Sequence, residues 1–250
     1  MIMPAELHDS PLLQRTIAAN LLQVQERIIL AAKSAGRDPA RIKLVVVTKG
    51  HPVEVVRAAL AAGALLLGEN YAEEGVEKIR VLGEKPGVEW QMIGHIQSRK
   101  AQLVCEHFHL VHSLDSVKLA VRLDRVAGEL GKRLPVLLEC NVSGEESKFG
   151  FPAWSSEQWI ELRDSAQKIA ALPHLAVYGL MTMTPFLDDP ELARPYFKRL
   201  VLLRDDLAGR VSGASWDELS MGMSADFEVA VQEGATYVRV GQAICGPRSH

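Results

Sequence analysis

Apolar residues change their spacing repeatedly along this chain, and each change marks a boundary between elements. Leu13, Ile17, Leu21, Val24, Ile28 and Ala31 recur at helical spacing. They predict a long helix from Pro11 to Ala35, stopped by Gly36. Short β-branched runs then alternate with helical stretches. The runs predict strands at Lys43–Val47, Ala64–Leu67, Trp90–Ile93, His109–His112, Pro135–Cys140, Leu175–Leu180, Trp216–Ser220 and Tyr237–Val240. The stretches between them predict helices at Pro52–Ala62, Asn70–Leu82, Gln97–Glu106, Ser116–Leu130, Ser155–Ala171, Glu191–Ala208 and Ala225–Glu233. Ser155 and Gln158 have the spacing of a capping box, and Asn141–Gly150 reads as a polar loop.

Short apolar strands alternating with helices imply a parallel sheet covered by helices. Eight such units in about 210 residues fit a single-domain (β/α)8 TIM barrel with an extra N-terminal helix. Residues 1–250 therefore read as one domain, with a doubly wound sheet as the alternative.

Composition narrows the function classes. The chain has 250 residues, 48% hydrophobic and 24% charged, an ordinary globular balance. Its net charge of −3 lacks the basic excess of a general nucleic-acid binder. Cys105, Cys140 and Cys245 are far apart with no CxxC spacing, which argues against a disulfide framework and for a reducing compartment. MIMPAELHDS has no basic stretch followed by an apolar run, and no apolar segment reaches about 18 residues. A cytoplasmic protein with no membrane or nucleic-acid partner is the expectation.

Barrels bind ligands at the C-terminal ends of their strands. The first strand ends in Thr48-Lys49-Gly50. A lysine there is either a desolvated amine, ready for Schiff-base chemistry, or a packed stem with a solvated head. Ser224 stands at the expected N-cap of the helix after the seventh strand, and Gly241-Gln242 follow the eighth. Together they offer a hydroxyl and backbone N–H groups to a phosphate. Arg239, between Val238 and Val240, must pair with a carboxylate or face a ligand. His107 and His109 have no partner cluster at metal-ligand spacing. Asn141-Val142-Ser143 matches a glycosylation sequon only by coincidence in a cytosolic chain, and GxGxxG and P-loop motifs are absent.

Several segments resemble the pyridoxal phosphate homeostasis protein family, which looks like the barrel half of alanine racemases without the β-domain. They are Val45–Lys49, Leu67-Gly68-Glu69-Asn70-Tyr71, Trp90–Gln97, Val111–Asp115, Asn141–Lys148, Gly179-Leu180-Met181, Leu219–Asp226 and Val238–Gly241. The resemblance implies pyridoxal 5′-phosphate bound through a Schiff base on Lys49. It implies a phosphate held by Ser224, Gly241 and Gln242, a pyridine nitrogen facing Arg239, and Asn70 near the ring. No catalytic residue and no metal are implied. The implied role is to hold and buffer or deliver the cofactor in vitamin B6 and amino-acid homeostasis, as a monomer, with apo forms of cofactor-dependent enzymes as partners. The rival is a low-activity single-domain racemase, which would need a second base from Tyr71, His95 or His112. A cofactor-free Schiff-base aldolase would also use Lys49. Two departures stand out: Gly50 where Thr is common, and Arg99 where Asn is frequent.

Overall fold

A computed structural model describes residues 11–248. The opening ten residues, read above as lacking a secretory leader, lie outside the described residues.

The fold is a closed parallel barrel. Its strands are β1 (Lys43–Val47), β2 (Leu66–Glu69), β3 (Glu89–Met92), β4 (Leu110–Leu114), β5 (Leu134–Asn141), β7 (Leu175–Met181), β8 (Glu218–Ser220) and β9 (Tyr237–Val240). Neighbours in sequence pair in space. The circle closes where β9 meets β1 and where β4 meets β5. A two-residue strand, β6 (Phe151–Pro152), pairs with the end of β5 outside the circle. The predicted barrel is thus the observed one, and the doubly wound alternative is excluded by closure.

Period two sorts the strand side chains between two cores. Val45, Leu110, Leu137, Met181 and Tyr237 fill the lumen. Val46, Leu67, Leu138 and Val238 face the helices in the larger outer core. Around the barrel run α2 (Val53–Ala61), α3 (Ala72–Leu82), α4 (Ala101–His107), α5 (Val117–Glu129), α6 (Trp159–Ala170), α7 (Arg194–Ala208), α8 (Phe227–Gln232) and α9 (Gln242–Cys245). The extra helix α1 (Pro11–Ser34) buries Ile17, Leu21, Val24 and Ile28. It is tied to α8 by the paired bonds of Arg27 to Glu228, at 2.9 and 2.7 Å. Asn20 Nδ2 also donates to the Ile244 carbonyl at 3.0 Å, next to the candidate site. No helix among the described residues is long and apolar enough to cross a membrane.

Differences from the predicted boundaries have local causes. α6 begins at Trp159 rather than Ser155, because residues 156–158 form a turn. The Gln158 half of the capping box still forms, accepting the Ser155 N–H at 3.1 Å. α8 begins at Phe227, so Ser224 is not its N-cap. Asp226 shapes that turn instead. Its carboxylate accepts the Met223 N–H and the Thr184 hydroxyl, each at 2.6 Å. The sequon asparagine is buried, and its Oδ1 accepts from the Ser143 and Gly144 N–H groups in an Asx turn.

Candidate functional site

The apolar run of β1, which closes with Val45, Val46 and Val47, leads into a tight turn. That turn, Thr48–His51, is closed by the His51 N–H on the Thr48 carbonyl at 3.1 Å. Gly50 holds φ +69° at its third position, the left-handed place that a type II turn reserves for glycine. A β-branched residue would be strained at that φ. Lys49 occupies the corner. Among the described residues its ammonium has no hydrogen bond or ion pair. Burial holds the amine below the ordinary lysine value, Arg248 and Arg239 push it the same way, and Glu69 and Glu74 oppose them.

A buried polar cluster grips this turn from below. Lys78 Nζ donates to the Thr48 carbonyl, to Glu69 Oε1 and to Glu74 Oε1, each at 2.7 Å. Glu69 Oε1 also accepts the Thr48 hydroxyl at 2.5 Å, and Glu74 Oε1 accepts the Gly50 N–H at 2.6 Å. Glu74 and Lys78 reach the turn together because positions four apart share one face of α3.

Arg239 is 4% exposed, inside the lumen on β9. Its partners are neutral. It donates to Ser220 Oγ at 2.7 Å and to the Thr182 carbonyl at 2.9 Å. No carboxylate ion-pairs with it among the described residues, so the ion-pair reading of this arginine is not the one realised. Burial lowers it to about 10, which leaves it cationic at neutral pH. The chain of bonds continues from Ser220 Oγ to His112 Nδ1 at 2.8 Å, and from His112 Nε2 to Gln91 Oε1 at 2.7 Å. His112 is fully buried, and burial holds it well below the ordinary histidine value. Both of its nitrogens are committed inside the barrel.

The loops after β8 and β9 meet through Ser224, whose Oγ accepts the Ala243 N–H at 3.3 Å. The N–H groups of Gly241 and Gln242 take no partner among the described residues. Gly241 packs against β1: a Cβ on it would lie 3.1 Å from the Val47 carbonyl oxygen. Lys49, Arg239, Ser224, Gly241 and Gln242 therefore gather around the adjoining ends of β8, β9 and β1.

Asn70 follows β2, the neighbour of β1 in the circle, and lies in the wall of a cavity of about 470 Å³ with Tyr71, His95, Arg99, Glu139 and Phe149. The other five predicted residues are not in that wall. Electrostatics joins the two sectors, because the charge of Arg239 reaches both Lys49 and Glu139.

Glu139 belongs to the site although no sequence motif picks it out. It is 3% exposed on β5, and its carboxyl takes no hydrogen bond among the described residues. Burial pushes that carboxyl up to about 7; Asp115 adds to the shift, while Arg239 and Lys148 oppose it. The available signal is its phase: Glu139 follows Leu137 by two in a strand, so it shares the lumen face. His95 Nδ1 bonds Asp115 Oδ2 at 2.8 Å, and its ring stacks on Phe149 at 4.0 Å. Those partners come from other loops and have no signature in sequence spacing. Among other nucleophiles, burial pushes the thiols of Cys105 and Cys245 up to about 12 and that of Cys140 higher still.

A parallel eight-stranded barrel with a half-buried lysine and a buried arginine at its C-terminal mouth defines a class, and comparison with known proteins agrees. Residues 17–249 match the family model of the alanine racemase N-terminal domain, and the chain belongs to that family. Within it, the pyridoxal phosphate homeostasis protein of Pasteurella multocida is 40% identical over 236 residues, 94% of this chain and 99% of its own. The protein of the same name from Escherichia coli K12 is 39% identical over 242 residues, 94% of this chain and 97% of its own. PipY of Synechococcus elongatus, solved with pyridoxal phosphate bound, superposes with a TM-score of 0.79 at 32% identity, covering 92% of this chain and 100% of its own.

Proposed function

We propose that this protein binds pyridoxal 5′-phosphate through Lys49 and holds, buffers or delivers it in the cytoplasm, with little or no catalysis. The observation that carries the reading is the Lys49 amine. It sits at a turn corner on the barrel mouth, without a hydrogen-bond or ion-pair partner among the described residues and lowered by burial. That is what nucleophilic attack on an aldehyde needs. The residues present fit the cofactor. Ser224 and the unpartnered N–H groups of Gly241 and Gln242 supply donors for its phosphate. Asn70, in the neighbouring cavity wall, would line the ring. Arg239 would serve the ring nitrogen with N–H groups beyond those given to Ser220 and Thr182.

When bound, the cofactor supplies an aldehyde and an electron-accepting ring. Arg239 would donate to the ring nitrogen and keep its own proton, so the ring would be a weaker electron sink than one protonated by a carboxylic acid. A racemase would need a second proton carrier. Tyr71 is 66% exposed and His112 is locked between Ser220 and Gln91, so His95, oriented by Asp115 through Nδ1, is the candidate that the racemase reading would use. The names of the relatives support a homeostatic role for the cofactor; the proposal extends it to vitamin B6 and amino-acid balance, with apo forms of cofactor-dependent enzymes as recipients.

The test is the absorption spectrum of the purified protein incubated with pyridoxal phosphate, before and after borohydride. Wild type should show a band at about 420 nm that borohydride fixes onto Lys49, and Lys49→Ala should not. Absence of the band in wild type would overturn the reading. Interconversion of alanine enantiomers at enzymatic rates would replace custody by racemisation.

A further inference from the structure

The polar cluster beneath the Lys49 turn does more than fill space. Three of its bonds end on Thr48 or Gly50, the two residues that flank Lys49, and none ends on Lys49 itself. Lys78 is the centre of the cluster. It is 6% exposed and bonds a carbonyl of the turn and two carboxylates at once. A buried lysine needs partners, but one carboxylate would satisfy that need. Here Glu69 comes from the end of β2 and Glu74 from α3, and both also bond the turn directly. The result joins the end of β1, β2 and α3 at the two neighbours of a single residue.

We propose that Lys78 is a positioning residue for Lys49: with Glu69 and Glu74 it fixes the chain on both sides of that lysine and offsets the carboxylate charge that reaches its amine. The proposal rests on the reading that Lys49 is the lysine that bonds pyridoxal phosphate. The charged groups acting on the amine are Arg239 from β9, Arg248 from the segment after α9, and Glu69 and Glu74 from the cluster; Lys78 acts through the two carboxylates it bonds, and the same Lys78, Arg248 and Glu74 act on His51. The two carboxylates favour the ammonium and the two arginines disfavour it. Lys78 neutralises the carboxylates' side of that balance, leaving more of the amine unprotonated. Attack forms a bond from the amine nitrogen to the aldehyde carbon, the carbonyl oxygen leaves as water, and borohydride supplies hydride to the new C=N bond.

The experiment uses the full chain. Pyridoxal phosphate is added at a series of pH values, trapped with borohydride after a short pulse, and the adduct located by peptide mass spectrometry. The midpoint pH of trapping at Lys49 is compared for wild type, Lys78→Met, Lys78→Arg and Glu74→Gln. Lys78→Met leaves Glu69 and Glu74 unopposed, so its midpoint should rise by about one pH unit, a roughly tenfold loss of trapping rate near neutrality. Lys78→Arg keeps the charge and should restore most of the rate. Glu74→Gln removes one carboxylate while its side-chain oxygen still accepts the Gly50 N–H, so its midpoint should fall. A purely structural role would not move the two midpoints in opposite directions. If Lys78→Met does not fold, Lys78→Gln, which keeps a donor to the turn without the charge, takes its place, and an unmoved midpoint there overturns the proposal. Unchanged midpoints in the folded variants, with the adduct on Lys49, overturn this proposal and leave the binding reading intact. A wild-type adduct on another lysine overturns both.

Discussion

At Glu139 the cost of burial falls on the ionised form. The carboxyl titrates near 7 in the folded chain against an ordinary value of 4.5. A pKa raised by folding stabilises the fold fully below the unfolded value, and that contribution is lost as pH rises through the folded one. Between about pH 4.5 and 7 the chain should therefore lose on the order of 3 kcal/mol through this residue. Glu139→Gln removes the dependence. Its urea midpoint should exceed that of wild type clearly at about pH 8 and only slightly at about pH 5; an equal gain at both would refute the account. Gly50 makes a backbone prediction. At φ +69°, Gly50→Thr should cost about 1–2 kcal/mol, seen as a lower urea midpoint with an unchanged slope. Lys49 and Arg239 are legible in the sequence because a charged residue interrupts or follows an apolar strand. Glu139 is less so, because nothing in its neighbours says that its carboxyl has no partner.

At the scale of elements, the strand and helix succession is readable from periodicity, while exact ends are not. Helix starts depend on which side chain captures the free N–H groups. At the β8–α8 loop Asp226 does so through Met223, and Ser224 turns instead to Ala243. Register between strands is equally hidden. It shifts between Val136 and Leu137, where β5 pairs with β7, and Gly179 lies at that shift. A Cβ on Gly179 would come 1.8 Å from the Glu218 carbonyl oxygen on β8. Backbone cannot yield as a side chain can, so Gly179→Ala should cost about 3 kcal/mol. Denaturant unfolding of the variant checks this, and a shift below about 1 kcal/mol would show that the two strands can part.

For the whole molecule, closure of the barrel makes each strand depend on two neighbours, and α1 adds a cover tied to α8 and α9. Residues 11–248 should unfold in one transition. Leu21, 2% exposed on α1, lies far along the chain from the β8–β9 loops, yet Leu21→Ala should lower that same transition. A loss of about 3 kcal/mol corresponds to roughly 6–12 °C in a chain of this size. Tryptophan fluorescence and far-ultraviolet circular dichroism should move together; a separate early melt of helical signal would show α1 to be an independent unit.

Burial also acts in opposite senses on the two kinds of nucleophile in this barrel. It keeps the thiols of Cys105, Cys140 and Cys245 protonated, and it disfavours the charged form of the Lys49 amine. The interior is therefore chemoselective. Alkylating and disulfide-exchanging reagents, which need a thiolate, find little to attack, while a carbonyl compound entering the mouth meets an amine prepared for it.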